Sequence, residues 1–205
     1  MTPTCNPRFS IFSRGYRNKD GQPVLATKPQ QNQDIPWAYQ YVTSQWCAGT
    51  ATQTLRQMMG HASKDELGDY KKLNFETAVF AGTFSYRSAR GLLLRSPYLV
   101  LDIDNLDSTE QAEDVKRRLI SDPSIDTELC FISPKGLGVK WVITLPSWTD
   151  GLTYQEQYNA LRNHLCFHHG IDPDKSGSDV SRACFLPYDP NCFINPKYLW
   201  ELYTC

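Results

Sequence analysis

Tyr98-Leu99-Val100-Leu101-Asp102-Ile103-Asp104 is the stretch on which the fold turns. An apolar run reaches two acids separated by one isoleucine, which reads as a buried central strand with carboxylates at its end. Side chains alternate faces along a strand, so Asp102 and Asp104 project together. Two carboxylates on one face repel unless a cation lies between them. A hard divalent ion with oxygen ligands, Mg²⁺ or Mn²⁺, meets that need, and paired acids of this kind hold the two metals of phosphoryl-transfer sites. The plainer alternative is two solvated acids before a turn; the apolar run favours the first reading.

On either side of this strand the pattern alternates strand and helix. Ala78 to Phe84 reads as a strand. Ser108 and Gln111 have capping-box spacing and open a helix to about Ile120. Leu129–Ser133 and Gly138–Leu145 read as two strands joined by a short glycine-containing turn, hence a hairpin. Thr153 and Glu156 open a long helix that Gly170 closes. Arg182–Tyr188 reads as a fifth core strand, and Lys197–Tyr203 as a final strand or helix. The order predicts an α+β fold with helices packed on one face of a sheet. Residues 1–35, rich in Pro, Gln, Asn and Arg, read as an extended arm with one hairpin at Asp20-Gly21. Residues 49–61 read as a helix with Leu55, Met58 and Met59 on its apolar face. The expected organisation is an arm and helical segment over 1–69 and a core over 70–205.

Two further stretches carry candidate chemistry. Ser133-Pro134-Lys135-Gly136-Leu137-Gly138-Val139-Lys140 lies between two strands. Its glycines let backbone amides approach phosphate oxygens, and Lys135 and Lys140 supply charge. It lacks the spacing of a Walker A loop, and an ordinary hairpin turn is the competing reading. Ile171-Asp172-Pro173-Asp174, followed by Asp179-Val180-Ser181-Arg182, offers three more acids and one arginine, or simply a polar loop.

Composition narrows the rest. The chain has 205 residues, 40% of them hydrophobic and 21% charged, an ordinary globular balance. Twenty-one Lys and Arg against 22 Asp and Glu give a net charge of -1, so nucleic-acid contact needs a local patch. Lys71, Lys72, Arg87, Arg90 and Arg95 lie among Tyr70, Phe84 and Tyr86, a mixture suited to a nucleic-acid backbone and its bases; a solvated basic face is the alternative. Seven scattered cysteines (Cys5, Cys47, Cys130, Cys166, Cys184, Cys192 and Cys205) contain no C-x-x-C pair and read as buried free thiols. His164, Cys166, His168 and His169 sit near a helix end. His164 and His168 share a face and suit zinc, but imidazoles favoured by the helix dipole are the preferred reading. No apolar run is long enough to span a membrane, and the polar N-terminus lacks a signal-peptide core, so a cytoplasmic protein is expected.

Hydrophobic-D-x-D, then S-x-x-G-x-G-x-basic, then hydrophobic-D followed by R-x-x-x-L-P is an order that resembles the archaeo-eukaryotic primase superfamily. Residues 70–190 carry it, including Ala81-Gly82-Thr83-Phe84-Ser85-Tyr86-Arg87, which is similar to the VirE N-terminal group of mobile elements and phages. The resemblance implies a primase–polymerase core with an RRM-like sheet. Asp102 and Asp104 match the first motif; Asp172 matches the third acid, with Asp179 its rival. Ser133, Gly138 and Lys140 match the phosphate-binding motif. The superfamily usually has histidine where this chain has Lys140, whereas the mobile-element group resembles it in having lysine. Lysine neutralises phosphate as a point charge without imidazole geometry. Phe185 stands where a second arginine is usual.

The expected activity is therefore template-directed nucleotidyl transfer on single-stranded DNA, in replication of a mobile element or phage. Asp102, Asp104 and Asp172 would hold Mg²⁺ or Mn²⁺. Ser133, Lys135, Lys140 and the Gly136 and Gly138 amides would hold the nucleoside triphosphate. Arg182 would neutralise a phosphate or brace an aspartate, and Lys71, Lys72, Arg87 and Arg90 would contact nucleic acid. A helicase, if used, would be a separate protein, because the chain has no P-loop. The first rival is a non-catalytic nucleic-acid-binding module with a degenerate metal site. The second is a metal-dependent nuclease or relaxase, disfavoured because the histidines are distant in sequence from the acids.

Overall fold

Tyr98–Ile103 is a strand, flanked as expected by helices and a hairpin, in a computed structural model that describes residues 6–203. In chain order the elements are β1 (Phe9–Phe12), β2 (Tyr16–Arg17), β3 (Pro23–Val24), β4 (Gln31–Gln33), α1 (Ile35–Thr43), α2 (Gln45–Met58), α3 (Lys64–Asn74), β5 (Thr77–Val79), β6 (Gly82–Phe84), β7 (Leu92–Arg95), β8 (Tyr98–Ile103), α4 (Thr109–Ile120), β9 (Thr127–Ile132), β10 (Val139–Thr144), α5 (Tyr154–His169), β11 (Cys184–Phe185), β12 (Phe193–Ile194) and α6 (Leu199–Tyr203). The protein is α+β.

Two four-stranded antiparallel sheets form the body, with strand orders β12-β9-β10-β8 and β11-β5-β1-β4. In the first, β10 lies between β8 and β9 and is antiparallel to both, so β8 and β9 run the same way, joined by α4 as a split β-α-β unit. Alternation sorts its side chains. Leu99, Leu101, Ile103, Cys130, Trp141 and Ile143 face α4 and α5, packing on Val115, Leu119, Tyr158 and Leu161. Tyr98, Leu129, Phe131 and Val142 face the other way, onto Phe9 and Ile11 of β1, Ala78 of β5, and Ile35 and Ala38 of α1. Trp141 is fully buried, and its indole N–H donates to Thr127 Oγ1 at 2.8 Å, so the large ring costs no unsatisfied donor. The expected helices lie on one face, but the second sheet and α1 cover the other. Asp102 and Lys140 belong to this second face, at the margin where the layers part.

The caps follow the sequence. Ser108 accepts from the Gln111 N–H, and Thr153 and Glu156 form a reciprocal capping box. Gly170 closes α5 in the left-handed conformation. Asp20-Gly21 is the turn between paired β2 and β3.

Three expectations are corrected. Residues 9–12 are not part of an arm: Phe9–Phe12 is buried throughout and pairs with both β4 and β5, across the division at 69/70. Ala78–Phe84 is not one strand, because Phe80-Ala81 turns the chain and Gly82 leads it into a separate pairing with β7. The strand expected over 182–188 shrinks to Cys184–Phe185, at the edge of the second sheet beside β5. Of the two readings left open for the C-terminal element, the structure has the helix, over Leu199–Tyr203. Among the described cysteines, Cys130, Cys184 and Cys192 are buried free thiols, Cys47 is half-buried and Cys166 is exposed; Cys5 and Cys205 lie outside the described residues. No helix among the described residues is long and apolar enough to cross a membrane.

Candidate metal and phosphate site

Register places the first pair of charges. Lys140 on β10 is the direct cross-strand neighbour of Asp102 on β8, and such neighbours lie close enough for their side chains to meet. The Lys140 ammonium pairs with Asp102 Oδ2 and lies 4.0 Å from Asp104 Oδ1. Immediately after Asp104 the chain turns at Asn105, whose φ is 60°, a left-handed conformation that asparagine tolerates.

The third acid is Asp174. Its backbone N–H donates to the Asp102 carbonyl at 2.8 Å, which docks the loop after α5 onto β8. Tyr158 on α5 holds the same loop by donating to the Asp174 carbonyl. Carboxylate oxygens of Asp102, Asp104 and Asp174 all lie within 4.8 Å of one another. The Ser176 N–H donates to Asp174 Oδ1 at 3.1 Å, and Arg182 reaches Oδ2 at 3.4 Å.

Electrostatics leave this cluster short of positive charge. Burial first, and repulsion from Asp104 as well, push the Asp102 carboxyl up, against the pull of Lys140. Burial disfavours the Lys140 ammonium, but Asp102 and Asp104 outweigh it and hold its pKa up, so the amine stays protonated. Burial also opposes charge on Asp174, yet the Ser176 hydrogen bonds, with Arg182 and Lys140, bring its carboxyl down. Three acids thus share one buried ammonium. Asp102 Oδ1 is buried with no hydrogen-bond partner among the described residues, and an orphaned charged oxygen is costly. A cavity of about 20 Å³, room for one water-sized occupant, borders Asp102, Val100, Tyr154 and Gly177. An all-oxygen donor set with excess negative charge fits a hard divalent cation.

The 133–138 loop lies against the same cluster. The Ser133 N–H donates to the Gly138 carbonyl and the Gly136 N–H to the Ser133 carbonyl, at 2.8 and 2.9 Å. The Gly136 amide, expected to face phosphate, is therefore committed inside the turn. Gly138 is where Asp104 and the loop touch: a Cβ there would lie 2.4 Å from the Ile103 carbonyl oxygen, 3.1 Å from Asp104 Oδ1 and 3.2 Å from Ser133 Oγ. Arg56 of α2, which the sequence did not single out, donates to the Pro134 carbonyl at 3.3 Å and braces the loop. Lys71 of α3 lies 5.4 Å from the centre of the Phe185 ring. Burial lowers its pKa, and Lys135 and Lys140 lower it further while Asp104 and Asp102 oppose them. Three lysines from separate elements therefore share one electrostatic environment beside the acids.

The remaining candidates go elsewhere. Asp172 does not join the cluster: both its oxygens accept from Arg162, and that pairing holds its carboxyl below the usual range. Asp179 accepts from the Ser181 N–H and hydroxyl, at 2.9 and 2.8 Å. Lys72 pairs with Asp69. Arg87 donates to the Ala26 carbonyl at 3.3 Å, and Arg90 is exposed. The Asp-Pro-Asp spelling shows two acids; only the backbone dock of Asp174 on β8 decides which one faces the pair.

Fold and site together define an α+β protein whose central sheet ends in a cluster of three carboxylates beside one buried lysine. Residues 70–193, more than half of the chain, match the family described as BT4734-like, N-terminal domain, and the chain belongs to that family. No curated protein and no solved structure matches it.

Proposed function

We propose that the protein is a metal-dependent nucleotidyltransferase of the primase–polymerase kind, extending a strand on a single-stranded DNA template in the replication of a mobile element or phage. One observation carries the reading: Asp102, Asp104 and Asp174 converge within 4.8 Å, with a buried Asp102 oxygen left unpartnered among the described residues. The split β-α-β unit of β8, α4, β9 and β10 supports an RRM-like core, and β12 adds a fourth strand beside β9. The resemblance of the three motifs to the primase superfamily supports the same reading, with Asp174 in place of Asp172.

Asp102, Asp104 and Asp174 would hold Mg²⁺ or Mn²⁺, which supplies charge neutralisation and activation of an attacking hydroxyl. Lys140, buried behind the strand end, pairs with Asp102 Oδ2 and so orients the carboxylate. Lys71 and Lys135 offer positive charge to the phosphates of a nucleoside triphosphate. Arg182 steadies Asp174, and Arg56 steadies the loop that carries Lys135. The phosphates rest on lysine side chains more than on loop amides, because the Gly136 N–H is already used.

The test is primer extension on a single-stranded template with Mn²⁺ and mixed dNTPs, wild type against Asp102→Ala. Extension by the wild type alone supports the proposal. No extension by either, with equal DNA binding by both, overturns it in favour of a second reading. That reading, a binding module with a degenerate metal site, has its own support: the Lys140 ammonium already pairs with Asp102, and an internal cation of this kind can take a metal's place.

A further inference from the structure

Asp122, His164 and His169 form a second cluster that the carboxylate site does not use. The sequence pairs His164 with His168 by helical spacing; the structure pairs His164 with His169 through Asp122, two residues beyond α4. Both imidazole Nε2 atoms lie on one oxygen, Asp122 Oδ2, at 2.8 Å for His164 and 2.7 Å for His169. Its other oxygen accepts from the Ser124 N–H at 2.8 Å, which fixes the carboxylate plane. The Asp122 side chain is 4% exposed and each histidine 12%.

Two ring nitrogens and one carboxylate oxygen within 4.8 Å of one another are the donor set of an open zinc site. In a tetrahedral site with bonds near 2.0–2.1 Å, ligand atoms stand roughly 3.3 Å apart. The present contacts need to widen by only about half an ångström to admit an ion, a change within side-chain freedom. The surroundings hold the ligands in place. Trp148 stacks on the His164 ring with centroids 6.2 Å apart. Arg118 donates to the His169 carbonyl at 2.7 Å, tying the end of α5 to α4. Outer contacts of this kind orient metal ligands.

The geometry points to a second metal site, for Zn²⁺ or a similar borderline divalent ion, built from Asp122, His164 and His169 with a fourth position left to solvent. Its nitrogen-rich donors separate it from the all-oxygen cluster at Asp102, which selects harder ions. An ion here fastens the end of α4 to the end of α5, five residues before Asp174, and so steadies the loop that delivers the third acid. The inference stands whether or not the protein is a polymerase.

The test is titration of the chelator-stripped full chain with Co²⁺, followed by Zn²⁺. The expected result is one equivalent of cobalt with the visible absorption of four-coordinate geometry, displaced by Zn²⁺. The signal persists in the D102N/D104N double variant, and affinity falls roughly tenfold or more in H169Q. At a hundredfold excess of Zn²⁺ over its Kd, the Tm of the double variant rises by roughly 5–10 °C. Wild type that shows no such absorption overturns the site before any variant is needed. A signal unchanged in H169Q and H164Q, or lost in D102N/D104N, overturns it as well, the latter by assigning the metal to the first cluster.

Discussion

Two lysine–aspartate pairs lie buried against the same sheet, and they are built differently. Lys116 of α4 meets Asp189 at 3.1 Å, with side chains 5% and 4% exposed. Asp189 is saturated: Oδ2 also accepts from the Ile132 N–H at 2.8 Å, and Oδ1 accepts from the Asn191 N–H at 3.0 Å. Lys140 meets Asp102 with side chains 9% and 19% exposed, but Asp102 Oδ1 is buried with no partner among the described residues, and Asp104 and Asp174 crowd the same space. A buried ion pair contributes to stability only when its remaining lone pairs are met. The first pair meets that condition and pins the chain after β11 to the sheet. The second leaves one carboxylate oxygen unmet among the described residues, which is what makes it a candidate cation site.

The largest expected difference is in activity. On the proposed reading, D102N would remove several kcal/mol of metal-borne transition-state stabilisation and primer extension would fall about 10³-fold, while stability changes by less than about 1 kcal/mol, because losing the Lys140 pairing is offset by relief of the burial and Asp104 repulsion that oppose the Asp102 charge, and Asp104 stays 4.0 Å from the ammonium. D189N shows the reverse. It takes the nearer of two carboxylates from buried Lys116, leaving Glu113 at 3.5 Å, and spoils one of the two oxygens that accept from the Ile132 and Asn191 N–H groups, a cost of about 3 kcal/mol and a Tm loss of roughly 6–12 °C by calorimetry, with the residual folded fraction still active. If D102N proved as destabilising as D189N, the two pairs would be alike and the contrast would fail.

G138A sharpens the comparison at the loop. Its Cβ meets the Ile103 carbonyl and Asp104 together, so about 1–3 kcal/mol of stability is lost along with metal affinity, measured by Mn²⁺ titration. The pH dependence is smaller. Asp102's carboxyl is raised on folding, by burial and then by Asp104. In metal-free protein its proton contributes stability that is full below the ordinary aspartate value of about 3.9 and is lost as pH rises through the raised folded value. Mn²⁺ competes with that proton, so the Tm gain on adding Mn²⁺ is greater at about pH 7.5 than at about pH 4.5. An equal gain at both would place the metal elsewhere. The least effect belongs to D172N, which breaks an exposed pair with Arg162 and leaves extension unchanged.

Much of the site's frame was legible in the sequence because it rests on local rules. The apolar run into Asp102, the caps at Ser108 and Thr153, and the glycine turn after β9 each depend on neighbours a few residues away. What stayed hidden depends on distant pairing. Phe9-Ser10-Ile11-Phe12 is a short apolar run among polar residues, and only pairing with β4 and β5 makes it a central strand. Ile35–Thr43 begins at Asp34, which caps it, with Pro36 in the first turn, and Ser63 with Glu66 forms a capping box for α3; both signals are local and lie in the sequence. Asp172 and Asp174 flank one proline, and spacing cannot tell which of them turns inward. Arg56 reaches the 133–138 loop from α2, 78 residues away in sequence, and no motif announces it.

The most direct test of the carboxylate cluster is Mn²⁺ binding followed by electron paramagnetic resonance in the wild type, D174N and D172N. Because Asp174 docks on β8 and Asp172 is held by Arg162, D174N is expected to weaken Mn²⁺ binding at least tenfold, while D172N matches the wild type. Loss of binding in D172N with none in D174N would contradict the assignment of the third acid, and with it the site described here.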